Sequence, residues 1–184
     1  SLALVSKVSE NGDAYGAAFS DDGLIGLPWR WKLAGSLEEL PLPEEMSADP
    51  LTNIINFNFP AVYDNGDFVL ALSMKVGDAN SEGVWVAQQG AYTALPTTDP
   101  ETYATVSAVG SLQWIFGSIA GVGYATGPAV WIDGVPTLLR DVVSMPAGVD
   151  LGTVLGVTSD GIVIARSAWG TGLVPSYILK LTPG

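Results

Sequence analysis

One hairpin recurs along this chain, and its recurrence decides what the chain can fold into. Val8-Ser9-Glu10-Asn11-Gly12-Asp13 leads into Ala14-Tyr15-Gly16-Ala17-Ala18-Phe19: an apolar strand, an Asn-Gly turn and a second strand. The design returns at Val62-Tyr63-Asp64-Asn65-Gly66-Asp67 and at Val157-Thr158-Ser159-Asp160-Gly161-Ile162. A worn copy stands at Val109-Gly110-Ser111-Leu112. Asn-Gly between alternating apolar runs is a strong hairpin signal, and it predicts positive φ angles across the Asn11-Gly12 pair.

The remainder of each copy is also β in pattern. Leu27 to Leu33 alternates, with Trp29 and Trp31 on one side and Arg30 and Lys32 on the other. A turn at Gly35 and the short run Leu37 to Leu40 follow, stopped by Pro41 and Pro43. Val84-Trp85-Val86, Gly90, Tyr92 to Leu95 and Pro96 repeat that order, as do Ala129 to Ile132, Asp133-Gly134 and Val135 to Leu139. Residues 77–83 read as a polar loop. The valines at 8, 62, 109 and 157 are spaced by 54, 47 and 48 residues; Trp31, Trp85, Trp131 and Ile178 are spaced by 54, 46 and 47. Four short strands in about 46 residues is the size of a propeller blade. The expected fold is therefore all-β: a β-propeller-like array of four four-stranded repeats in one domain, with blades at about 1–43, 44–97, 98–142 and 143–184. The chain ends before a fourth strand of the last repeat. Either the outer edge of the last blade is bare or it is completed from outside, by an upstream segment or by another protein chain, and completion is the favoured expectation.

The same residues resemble the HAF-type repeats of bacterial extracellular proteins. Ala129-Val130-Trp131-Ile132-Asp133-Gly134 is similar to that family's aromatic strand and turn. Residues 154–163 resemble its hairpin, and Tyr177-Ile178-Leu179-Lys180-Leu181-Thr182-Pro183 its terminus. The namesake His-Ala-Phe is absent; Pro28-Trp29, Val84-Trp85, Val130-Trp131 and Tyr177-Ile178 stand in its place. The resemblance implies a propeller-like fold and exposure at a surface, with no defined activity.

Composition narrows the chemistry. The chain has neither Cys nor His, so thiol catalysis, zinc-thiolate sites, Ser-His-Asp triads and imidazole ligation are excluded. A formal charge of −12 disfavours nucleic acid and anionic lipid as partners. No apolar run approaches the roughly 20 residues of a membrane helix. No secretory leader is visible in the first seven residues and there is no initiator Met, which reads as a mature or excised piece.

Three sets of residues are candidates for a site. Asp78, Asn80 and Glu82 alternate ahead of Gly83, a partial calcium-loop pattern that also suits an ordinary hairpin loop. Trp169, flanked by a glycine, and Tyr124 fall in corresponding loops and are the candidate ligand-binding pair. The carboxylate doublets Glu38-Glu39 and Glu44-Glu45 are not catalytic pairs by themselves, because neighbours on a strand point to opposite faces. Trp31, Trp85, Trp114 and Trp131 are expected in the core. The reading that follows is a non-enzymatic extracellular or surface module for adhesion, scaffolding or particle assembly, with no required cofactor. The alternatives are a carbohydrate-active or glycan-binding propeller using carboxylates and loop aromatics, and a virion or phage attachment subunit.

Overall fold

The computed structural model describes residues 2–19, 26–44, 53–76, 79–99, 101–111, 113–121, 127–143, 149–158, 162–167 and 176–180. They form four separate antiparallel sheets, each a meander of consecutive strands. Sheet A is β1 (Leu2–Val8), β2 (Ala14–Phe19), β3 (Gly26–Trp31) and β4 (Leu37–Glu39). Sheet B is β5 (Asn53–Val62), β6 (Phe68–Val76), β7 (Ala79–Gln88) and β8 (Ala91–Ala94). Sheet C is β9 (Tyr103–Ser111), β10 (Trp114–Ala120), β11 (Gly127–Ile132) and β12 (Val135–Leu138), followed by the one-turn helix α1 (Leu139–Val142). Sheet D has three strands among the described residues: β13 (Leu151–Val157), β14 (Ile162–Ser167) and β15 (Ser176–Lys180). Each sheet falls inside one of the four repeats read from the sequence. The chain groups them into two compact units, Ser1–Ala94 with sheets A and B, and Leu95–Gly184 with sheets C and D.

The valine landmarks are true structural equivalents. Val8 pairs with Ala14, Val62 with Phe68, Val109 with Ile115 and Val157 with Val163. All four sheets also break register at the same place. One extra residue is inserted in the first strand at Ser6, Pro60, Ser107 and Leu155, always two residues before the landmark. A β-bulge bends its strand and sharpens the twist, so the four sheets share a bend as well as an order. Opposite two of these bulges stand Gly16 and Gly117, where a Cβ would overlap the carbonyl oxygens of Leu4 and Thr105.

The first hairpin turn differs from its expected type. Ser9 N–H donates to the Asp13 carbonyl at 2.9 Å, and Tyr63 N–H to that of Asp67 at 2.9 Å, which leaves three residues in each loop. Only the glycines are left-handed, Gly12 at φ 90° and Gly66 at φ 92°. This is a type I turn closed by a glycine bulge. Asn11 and Asn65 act instead through their side chains, each accepting the amide of the Asp two residues on, at 3.0 and 3.1 Å. Positive φ at both central residues occurs at Gln89-Gly90 and Asp133-Gly134, whereas the turn from Lys32 to Ser36 again has only its glycine, Gly35, left-handed. Asp13 and Asp67 then tie the two hairpins of their sheet together. Asp13 Oδ1 accepts the Leu33 amide and Asp67 Oδ1 the Gln89 amide, both at 2.9 Å. Arg30 adds an ion pair to Asp13 Oδ2, with Nε at 3.0 Å.

Two further expectations are corrected. The stretch expected as a polar loop is largely strand, because Val76 pairs with Ala79 and the ladder runs on to Phe68 opposite Ala87. The tryptophans do not share one register either. The equivalent amides bound by Asp13 and Asp67 set Leu33 against Gln89, which places Trp29 with Trp85, and Trp31 with Ala87. Accordingly Trp29 pairs with Gly16 and Trp85 with Leu70, whereas Trp31, Ala87 and Trp131 pair with the residue opposite the landmark valine.

Each unit has its core between two sheet faces. In the first unit, Tyr15 and Ala17 of sheet A meet Phe57, Phe59, Phe68, Leu70, Leu72, Trp85 and Ala87 of sheet B. In the second, Phe116 and Val130 of sheet C, with Leu139, meet Leu151, Val154, Val163 and Ala165 of sheet D. Tyr15 and Phe116 hold the same place, one residue past the landmark's partner; Phe68 and Val163 are themselves landmark partners. The same two faces are therefore apposed in both units. Residues 68–72 of β6 are buried or half-buried on both sides, which is why Phe68-Val69-Leu70-Ala71-Leu72 reads as an unbroken apolar run.

Asp13 carries a pH dependence. The Leu33 amide and then the Arg30 guanidinium hold its carboxyl below the ordinary aspartate value of 3.8, against the opposing effect of burial. The ionised form is favoured by folding, so this contribution is complete above 3.8 and is lost as pH falls toward the lowered value in the folded chain. Asp13→Asn is expected to lower the urea midpoint at neutral pH and to flatten its decline below about pH 4; urea titrations of both chains at several pH values check this.

Candidate functional site

The most distinctive surface among the described residues is the face of sheet A that points away from Tyr15. It holds an open hollow of about 280 Å³ lined by Ala3, Ala18, Leu27, Pro28, Trp29, Trp31, Leu37 and Glu39. Strand alternation builds it. Trp31 and Leu37 pair across β3 and β4, as do Trp29 and Glu39. Ala14, Gly16 and Ala18 on the central strand pair with Trp31, Trp29 and Leu27. Large side chains thus flank a line of small ones. Trp31 is 55% exposed and Leu37 73%, and Val5 and Val8 extend the apolar surface along β1.

The equivalent face of the other sheets is covered. Ala14, Gly16 and Ala18 correspond to Phe68, Leu70 and Leu72 of sheet B, all buried. Trp31 corresponds to Ala87 and Trp131, which are 3% and 0% exposed. The indole of Trp131 donates to the Pro96 carbonyl at 2.7 Å. The Trp29 Nε1, in the wall of the hollow, is buried with no hydrogen-bond partner among the described residues. Contiguous exposed apolar faces are the kind of surface that interaction sites use.

Glu39 is the carboxylate of the hollow, whereas Lys32 and Glu38, which alternation sets on the other side of β3 and β4, form an exposed ion pair at 3.0 Å. On the opposite face of the sheet, Arg30 lies 5.5 Å from the Tyr15 ring centroid, joining Asp13 to the aromatic cluster. Burial raises the Tyr15 phenol above its ordinary value, and Asp13 holds the Arg30 guanidinium still more firmly protonated against burial. Both shifts carry these two groups further from neutrality.

The residues picked out from the sequence stand elsewhere. Trp169, Tyr124 and Asp78 lie outside the described residues. Asn80 and Glu82 are register positions of β7, opposite Lys75 and Ser73, and their side chains lie outside the description. Among the described residues, no group of three or more acidic, His or Cys side chains gathers to hold a metal. No described helix is long and apolar enough to cross a membrane. Trp85 and Trp131 are core residues as expected; Trp114 is half-buried and Trp31 is not core. The hollow was missed because Trp31 shares a strand pattern with buried tryptophans. The available signal was the run Ala14-Tyr15-Gly16-Ala17-Ala18, small at the positions where β6 is large. Compared with known protein families and with curated proteins, the chain matches none.

The two equivalent tryptophans should behave oppositely. Trp131→Ala is expected to cost about 3–5 kcal/mol of stability, and Trp31→Ala about 0.5 kcal/mol or less in dilute solution. Urea denaturation followed by circular dichroism measures both.

Proposed function

We propose that the chain is a non-enzymatic binding and structural module of the β-propeller type, displayed on an extracellular or particle surface, which works by docking a protein partner on sheet A. The observation that carries this reading is the exposed hollow between Trp31, Trp29 and Leu37, on a face whose equivalents in the other sheets are buried. Propeller stacking is supported by the four shared bulges and by the apposition of the same two faces in each unit. Surface display rests on the resemblance to HAF-type repeats. The lack of His and Cys in the sequence removes the commonest nucleophile and base arrangements.

A glycan-binding or glycan-cleaving role is less well supported. Sugar sites combine an aromatic platform with several polar groups that fix hydroxyls, whereas the hollow brings one carboxylate, Glu39, to a ring of apolar side chains. A dye sensitive to apolar surface is expected to bind the chain and to lose a measurable share of its signal in Leu37→Lys, with the circular dichroism unchanged. Reducing-sugar release from a polysaccharide panel is expected to stay at the blank. Saccharide-dependent quenching of Trp31 emission, or sugar release abolished by Glu39→Gln, would overturn the proposal.

A further inference from the structure

We infer that the partner docked on sheet A is a second copy of this chain, which presents the free face of its sheet D. This rests on the docking-face reading and names the occupant. In both units, a face of the Tyr15 or Phe116 kind is covered by a face of the Phe68 or Val163 kind. Sheet A has the covering kind of face and leaves it open. Sheet D has the covered kind, marked by Ile164 at the Tyr15 position and its pair Ile178, and leaves that open too: Ile164 is 42% exposed and Ile178 78%. Sheets A and D therefore each present one half of a junction that the chain already builds twice, and the two halves are of opposite kind.

Shape and charge agree with this pairing. Ile164 and Ile178 stand together on sheet D, with the exposed bulge residue Leu155 nearby, whereas sheet A is hollowed by Ala3 and Ala18. Arg166 is exposed on the Ile164 side of β14, and Glu39 lines the hollow. Joining unlike faces is heterologous, so the product is a closed ring of copies or a growing stack. The formal charge of −12 makes copies repel, so association strengthens as salt screens it.

Sedimentation of the full chain across concentrations, in moderate salt, tests this with two variants at exposed positions, Trp31→Lys and Ile178→Lys. The wild-type mass is expected to rise from 19.1 kDa to at least twice that value with concentration. Each variant alone should stay at the mass of one chain. An equimolar mixture should give a two-chain particle and nothing larger, since just one good junction can form. Leu37→Lys and Ile164→Lys repeat the test at neighbouring positions, and a native circular dichroism spectrum qualifies each variant. A wild-type chain that stays single at every concentration overturns the inference, as does a mixture that fails to pair. Ile178→Lys that still dimerises overturns it in favour of two sheet A faces meeting. If the apolar dye binds sheet A while the chain stays single, the docking face stands and the second copy falls. A single chain with Trp31 shielded from a soluble quencher points instead to closure of the chain on itself, which also overturns the inference.

Discussion

The contact on which the first unit depends is a trio of rings shared between two sheets. Tyr15 projects from sheet A between Phe59 and Phe68 of sheet B, with centroids 5.7 and 5.8 Å away, and those two lie 5.5 Å from each other. Tilted and edge-on rings at this spacing add to the hydrophobic gain of burial. A single meandering sheet has two faces and no way to bury either alone, so its stability comes from the neighbour it covers. Phe116 plays the Tyr15 part in the second unit, against Val154, Val163 and Ala165.

Polar groups set the position of one sheet on the next. The bulge that bends β1 carries Ser6, whose Oγ accepts the Phe59 amide from the bulge of β5 at 3.1 Å. The same hydroxyl donates to Asn58 Oδ1 at 3.1 Å. Irregular backbone in one strand is thus satisfied by irregular backbone in the next sheet. At the turns, the Asn11 amide donates to Asp64 Oδ1 at 2.8 Å, and the Arg30 guanidinium lies against Gly66, where a Cβ would press on it. At the outer edge the Tyr92 hydroxyl donates to the Pro41 carbonyl at 2.6 Å, and burial pushes that phenol well above its ordinary range. These bonds cost nothing in burial that they do not repay by pairing, and they leave a covering sheet one seat on the sheet beneath.

Much of this was legible in the sequence, and the reason is local. The valine landmarks mark a hairpin whose turn chemistry is written in adjacent residues, so their spacing carried straight into the register. The tryptophans misled because positions 29 and 31 lie on the same side of a strand, and either can supply the large side chain of that face. Trp85 and Trp131 are both buried, yet they sit two residues apart in the repeat. Asn-Gly correctly marked a turn, but the loop closes one residue later than a two-residue turn would, at Asp13 and Asp67, whose carboxylates reach across to the neighbouring hairpin. The docking face was not legible, because exposure depends on what stands beside a sheet and a strand pattern records only which residues share a side.

The central claim is that these sheets are held by face-to-face contact between named aromatic side chains. A double-mutant cycle across the first junction, with Tyr15→Leu, Phe59→Leu and the pair, measures that contact by urea denaturation. The account predicts a coupling of about 0.5–1.5 kcal/mol between the two positions. Losses that simply add, to within about 0.3 kcal/mol, would contradict it.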